Sequence, residues 1–180
     1  MVILAFIAYF VATYNRFINL RNGIESGLKQ INVALKKRID LIGQVMDSVK
    51  GEMKFEKDTL TEITRLRSSV NENMTQEESG RAEQATRQIF EGLKGQVENY
   101  PNLKASENVK QLIDSINGLE EEIGRLRYTY NNTVQEFNTK VQTIPSNIVA
   151  KIAGFGKTKY LEFQETAEKL ETAPKIDLNS

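Results

Sequence analysis

Between Tyr14 and Val70 the apolar side chains recur at steps of three and four. They fall at Phe17, Leu20, Ile24, Leu28, Ile31, Leu35, Ile39, Ile42, Met46, Val49 and Met53. The mean step is about 3.6, the period of a straight α-helix with one buried stripe. Leu60, Ile63 and Val70 carry the stripe on, with Glu56 and Arg67 interrupting it and no proline in the run. Unbroken, such a helix is roughly 85 Å long at about 1.5 Å per residue. Gly23, Gly27, Gly43 and Gly51 lie inside it, each lowering helix propensity by roughly 1 kcal/mol relative to alanine. Gly43 and Gly51 bracket the expected break, so the pattern reads as one rod or as two segments.

Residues 71–80 are polar and read as a loop, with Thr75 and Glu78 at the spacing of a capping box. Ala82, Ala85, Ile89, Leu93, Val97 and Tyr100 mark the next helix, which Pro101 is expected to end. After a turn at residues 102–105, Ser106 is placed to cap another helix. There Val109, Ile116, Ile123, Tyr130, Phe137 and Ile144 recur at every seventh position, and Leu112, Leu119 and Leu126 fill the intervening one until Val134 and Val141 take over. This is a coiled-coil-like seam of about 39 residues, roughly 58 Å long. Pro145 stops it, Ser146 is expected to cap a short amphipathic piece carrying Ile148, Val149, Ile152 and Phe155, and Gly154 and Gly156 end that piece. Tyr160, Leu161 and Phe163 continue weakly, and the chain closes in a polar tail, 166–180.

At the other end Val2 to Tyr14 carries no charge, and Arg16 is the first charged residue. About thirteen apolar-dominated residues make roughly 20 Å of helix, against a hydrocarbon core of about 30 Å. Residues 1–14 therefore read as a membrane anchor, either the inner part of a longer span or a shallow insertion. With Phe6, Tyr9, Phe10 and Tyr14 among them, apolar and aromatic side chains surround this segment on every side, unlike a one-sided soluble helix. No basic segment precedes it and no Ala-x-Ala site follows, which argues against a cleaved signal. Arg16, Arg21, Lys29, Lys36, Lys37 and Arg38 then outnumber Glu25 and Asp40, which puts the body in the cytoplasm. Lys36, Lys37 and Arg38 lie roughly 35 Å from the membrane along the helix, beyond a Debye length of about 8 Å, so they read as solvated side chains beside the stripe rather than as headgroup ligands.

The 24 basic and 24 acidic residues speak against a nucleic-acid partner, which favours an overall basic chain. No cysteine and no histidine are present. Disulfides, thiolate or Ser-His-Asp catalysis, haem-histidine ligation and the Glu-x-x-His di-iron bundle are thereby excluded. Glu120-Glu121-Glu122 reads as a solvated helix face, and Tyr128 and Tyr130 as packing residues. Gly156-Lys157-Thr158 ends like a phosphate-binding loop, but Lys151 stands where that motif needs glycine. No catalytic, cofactor-binding or metal-binding residue emerges.

The run YNRFINLRNGIESGLKQINVALKKRIDLI from Tyr14, with VKG at Val49 to Gly51 and FEKDTL at Phe55 to Leu60, resembles the start of the LemA family. Tyr100-Pro101, Leu103-Lys104-Ala105, Asn108, Tyr130-Asn131, Phe137-Asn138 and Pro145-Ser146-Asn147 match it in the second half, so the resemblance covers about residues 14–165. Gly43 stands where members usually carry proline, and Phe55 where histidine is common. The resemblance implies an all-α, elongated, antiparallel up-and-down helical bundle over 15–165, four-helix or three very long helices, behind an N-terminal membrane-anchor helix. It also implies a bacterial-type single-pass protein of the cell membrane and brings no enzymatic activity and no cofactor. The expected function is a non-enzymatic scaffold or adaptor, held to lipid by its N-terminal segment and presenting a rigid surface to a protein partner. The alternative is a self-assembling structural or membrane-shaping protein. Candidate interaction residues are Lys36, Lys37 and Arg38 on one face and Ile148, Ile152 and Phe155 on the short terminal piece. An even number of long helices returns residue 144 to the membrane side, where Ile148, Val149, Ile152 and Phe155 dip into the interface; three helices put that piece far from the membrane.

Overall fold

The structure, a computed structural model, describes residues 1–55 and 57–162. The expected polar tail at 166–180 and the contribution of Phe163 lie outside the described residues. Among those described, six helices and no strand are found. Helix α1 (Val2–Val49) runs unbroken from the apolar segment through the long amphipathic stripe. It ends at Val49, and residues 50–55 lead into α2 (Lys57–Ser69). The break thus falls at Gly51, one of the two bracketing glycines. Gly43 stays helical, and Arg67 crosses it so closely that an added Cβ there meets the guanidinium at 3.2 Å. Arg67, which interrupts the stripe in sequence, therefore has a steric partner on α1. Leu60 is 47% exposed and falls outside the buried stripe.

The capping box is formed. The Thr75 N–H donates to the Glu78 carboxylate at 2.7 Å, and the Glu78 N–H donates back to the Thr75 hydroxyl at 3.3 Å, opening α3 (Gln76–Glu98). Three expectations are corrected nearby. Pro101 does not simply end a helix but begins a short one, α4 (Pro101–Ala105), where its missing N–H costs nothing. Ser106 stands at the N-cap of α5 (Glu107–Gln142) without a side-chain capping bond. Ser146 is not a cap but the first residue of α6 (Ser146–Ala153), and its hydroxyl donates at 2.7 Å to the Lys140 carbonyl, one of the unpaired acceptors at the end of α5. Gly154, at φ 74°, ends α6 in the left-handed conformation that favours glycine, and the Phe155 N–H returns to the Ala150 carbonyl at 2.9 Å.

Helix α1 is the spine. Phe17 meets Phe137, Gly27 meets Tyr130, Arg38 meets Glu120 and Ser48 meets Asn108, so α5 runs antiparallel to it along almost its whole length. Asn32 meets Ser79 and Arg38 meets Thr86, so α3 runs alongside α1 in the same direction. Helix α2 returns from the far end to the level of Lys36, whose Nζ donates to the Arg67 carbonyl. The apolar stripes fill the space between. Phe17, Ile31, Leu35, Ile39, Ile42, Val45 and Val49 of α1 are completely buried, as are Val134 and Ile116 of α5. The seam on α5 holds from Val109 to Phe137 but not at its last position. Helix α5 stops at Gln142, and Ile144 beyond it is 82% exposed.

Candidate interaction surface

Arg38 is in the interior, not on the surface with Lys36 and Lys37. The helical period explains this: Arg38 stands between Leu35 and Ile42 on the same turn-by-turn stripe, so it points where they point. Its side chain is completely buried. One guanidinium nitrogen donates to a Glu120 oxygen at 2.7 Å. The other donates to the Glu83 carbonyl at 2.8 Å and to the Thr86 hydroxyl, which in turn donates to the Ala82 carbonyl. The Glu83 carboxylate lies 3.7 Å from Arg38 and accepts two bonds from Arg87, at 2.7 and 2.9 Å. Arg87 also approaches Glu120, at 3.6 Å. Two cations and two carboxylates thus close on one another. Burial pulls the Arg38 pKa below its ordinary value, Arg87 pulls the same way, and the Glu83 and Glu120 carboxylates oppose it. Glu120 therefore leaves the solvated glutamate run, where Glu121 and Glu122 remain exposed. Both carboxylates, Glu83 and Glu120, are engaged by arginines, so the cluster holds α1, α3 and α5 together. Among the described residues no group of three or more acidic side chains is disposed around a metal position.

Of the other two basic candidates, Lys36 is half-buried and bonded to the Arg67 carbonyl, with Asp40 at 3.5 Å, while Lys37 is exposed. The basic face predicted at Lys36, Lys37 and Arg38 thus reduces to Lys37.

The second group of candidates lies at the end of the body next to the apolar start of α1. Phe155 turns inward. Its ring stacks on Phe17 at 4.9 Å, meets Phe137 edge-on at 6.1 Å and lies 5.9 Å from Tyr14. Phe155 is a packing residue, because the left-handed turn at Gly154 swings the chain back over α1. Ile148 and Ile152 do not follow it. They stand one turn apart on the outer face of α6 and are 49% and 67% exposed, while Val149 and Ala150 fill the inner face. Tyr130 is buried against Gly27, and its burial raises its pKa. Tyr128, expected to pack, is 70% exposed.

A feature not anticipated from the sequence is a strap, residues 155–162, laid along α5. The Asn138 amide donates to the Thr158 carbonyl at 2.8 Å and its oxygen accepts the Thr158 N–H at 2.9 Å. Asn131 grips Leu161 the same way, at 3.1 and 2.9 Å. Gln76 on α3 adds a bond to the Lys159 carbonyl. The spacing is matched. Seven helical residues rise about 10.5 Å, and three extended residues span about 10 Å. The signal was present as two asparagines seven apart, each following a buried aromatic.

The LemA family model matches residues 27–178. Protein LemA of Metamycoplasma hominis is 32% identical over 79% of this chain, and the chain spans 65% of that relative's length. The magnetosome proteins MamQ 1 and MamQ 2 of Paramagnetospirillum magneticum are each 22% identical over 91% of the chain and 69% of their own length. With a family model covering most of its length and a curated relative above 30% identity, the chain belongs to the LemA family.

Proposed function

We propose that this protein is a membrane-anchored, non-enzymatic scaffold or adaptor. In this reading the apolar first turns of α1 cross or enter the cell membrane once, and the elongated antiparallel helical bundle behind them stands in the cytoplasm and offers a rigid surface to a protein partner. One observation carries the reading: α1 passes without interruption from exposed apolar side chains (Ile3, Leu4, Phe6, Ile7, Val11) into the completely buried Phe17, Ile31 and Leu35. The same helix is thus long and apolar enough at its N-terminal end to cross a membrane and is also the spine of the body. A body fused to its anchor this way is held at a fixed angle to the bilayer rather than on a loose tether. The basic excess at Arg16, Arg21, Lys29, Lys36 and Lys37 supports the cytoplasmic side.

Self-assembly or membrane shaping is the second reading. It is favoured by the exposed isoleucines of α6 and by relatives whose names attach them to a magnetosome. Photo-cross-linking in cells, from probes at Lys37 and at Tyr128 in the full chain, separates the two. Recurrent capture of one foreign protein, abolished by Lys37→Glu or Tyr128→Glu, is the expected result. Capture of this chain alone from both positions would transfer the proposal to self-assembly.

A further inference from the structure

We infer that the outer face of α6 is a second membrane contact, seated in the bilayer interface and binding anionic headgroups, so that the body leans on the membrane at two points. This rests on the reading of α1 as the anchor. The height of α6 along the molecule is fixed by the aromatic cluster: Phe155, just beyond α6, touches both Phe17 and Tyr14. Phe10, one turn further out, is half-buried against the same core. The first two turns of α1 therefore project past α6, and α6 sits where the apolar segment meets the body. Tyr14, 40% exposed, marks that level with the amphipathic ring that favours a membrane–water boundary. Arg16, paired with Glu136 at 3.1 Å, marks the aqueous side half a turn below.

At this height Ile148 and Ile152 stand outward on one face of α6, and Ile144 precedes them at 82% exposure. The inner face of α6 is committed to the core through Val149 and Ala150, so nothing within the described residues covers the outer one. Scattered exposed apolar residues need no partner, but these three lie within nine positions, at the end of the body from which the exposed apolar start of α1 projects. The charge fits lipid as well. From Phe137 to Leu161 the chain has no acidic residue, while it carries Lys140, Lys151, Lys157 and Lys159. Lys159 is turned to Glu77 at 3.4 Å and Glu136 is taken by Arg16. Lys140, Lys151 and Lys157 remain to face headgroups, as basic residues flanking an interfacial apolar face do.

The chain has no cysteine, so single reporters are easily placed. Full-length protein carrying Ile152→Cys, Ile148→Cys, Ile7→Cys or Tyr128→Cys is spin-labelled and reconstituted in phosphatidylcholine vesicles with and without phosphatidylglycerol. Collision with oxygen and with a nickel chelate then gives depth. Labels at 148 and 152 are expected at a shallow lipid depth, between the deep label at 7 and the aqueous label at 128. The fraction at that depth is expected to rise with phosphatidylglycerol and to fall in Lys151→Glu. Aqueous labels at 148 and 152 beside an immersed label at 7 would overturn the inference and leave the anchor standing. An aqueous label at 7 would remove both. Shielding at 152 that follows protein concentration rather than lipid would assign the face to a second copy and overturn the inference too.

Discussion

Arg38 and Glu120, eighty-two positions apart, meet at 2.7 Å inside the body, and their contact locks the middle of α1 against the middle of α5. Its neighbours on α1, Leu35, Ile39 and Ile42, are apolar and completely buried, so sliding one helix past the other by a turn strands a charge at this polar crossing. The energetic asymmetry is large: a buried ion pair adds little over a well-packed apolar substitute, yet removing one member leaves an uncompensated charge.

Arg38→Ala is accordingly expected to lower unfolding stability by about 3–5 kcal/mol, read by chemical denaturation of the full chain in mild detergent. Arg38→Met combined with Glu120→Leu is expected to recover a large part of that loss. A double-mutant cycle giving no coupling between positions 38 and 120 would show that the two do not act as a unit.

The capping box at the start of α3 predicts a pH effect of definite sign. The Thr75 N–H and hydroxyl, bonding the Glu78 carboxylate, hold its pKa below the ordinary value of 4.5. A carboxyl whose folded pKa is depressed adds stability that is complete above its unfolded value and disappears as the pH falls through the folded one. The stability difference between the native chain and Glu78→Gln is therefore expected to be constant at neutral pH and to close below about pH 4.5. A difference that persists at low pH would mean that the carboxylate charge is not what the cap uses.

How far these features were legible follows from the range of the interactions involved. The helices were plain because a 3.6-residue stripe from Phe17 to Val49 is a local signal, and so was the Thr75–Glu78 cap, which spans three residues. The fate of Arg38 was also encoded locally, since it sits on the stripe between Leu35 and Ile42, but its partners Glu83 and Glu120 come from two other helices, and only packing brings them together. Phe155 and Ile152 looked alike in sequence. The left-handed turn at Gly154 separates them, sending one ring onto Phe17 and leaving the other side chain outside. The strap was invisible because an extended segment held by side-chain amides has no hydrophobic period of its own.

Open glycines on exposed helix faces predict gains. Gly118 is in the middle of α5, and a Cβ built there meets nothing within 4 Å. Gly118→Ala is expected to stabilise the chain by about 0.5–1 kcal/mol through helix propensity alone, seen as a higher denaturation midpoint with an unchanged slope. Gly27→Leu is the contrasting case, because the Tyr130 ring lies 3.4 Å from the position of its Cβ, and overpacking there is expected to cost about 1–3 kcal/mol. If both variants behaved alike, the approach of Tyr130 to Gly27 would not be what limits the side chain at position 27.

The strap makes the most local prediction. The Thr158 amide proton is bonded to the Asn138 side chain, and the Leu161 amide proton to Asn131. Each asparagine supplies a donor and an acceptor to one backbone unit, and each bond is worth about 0.5–1.5 kcal/mol net. Asn138→Ala is therefore expected to cost about 1–3 kcal/mol, but the more telling readout is where protection is lost. Amide exchange at Thr158 is expected to speed up while Leu161, still gripped by Asn131, and the α1 amides around Leu35 keep their rates. Asn138→Asp retains the acceptor and loses the donor, so it is expected to protect the Thr158 amide while weakening the hold on its carbonyl. Uniform acceleration across α1 and α5 in Asn138→Ala would mean that the strap is part of the global folding unit. Acceleration confined to Thr158 and its neighbours means that it is a separately opening segment, zipped onto α5 one asparagine at a time.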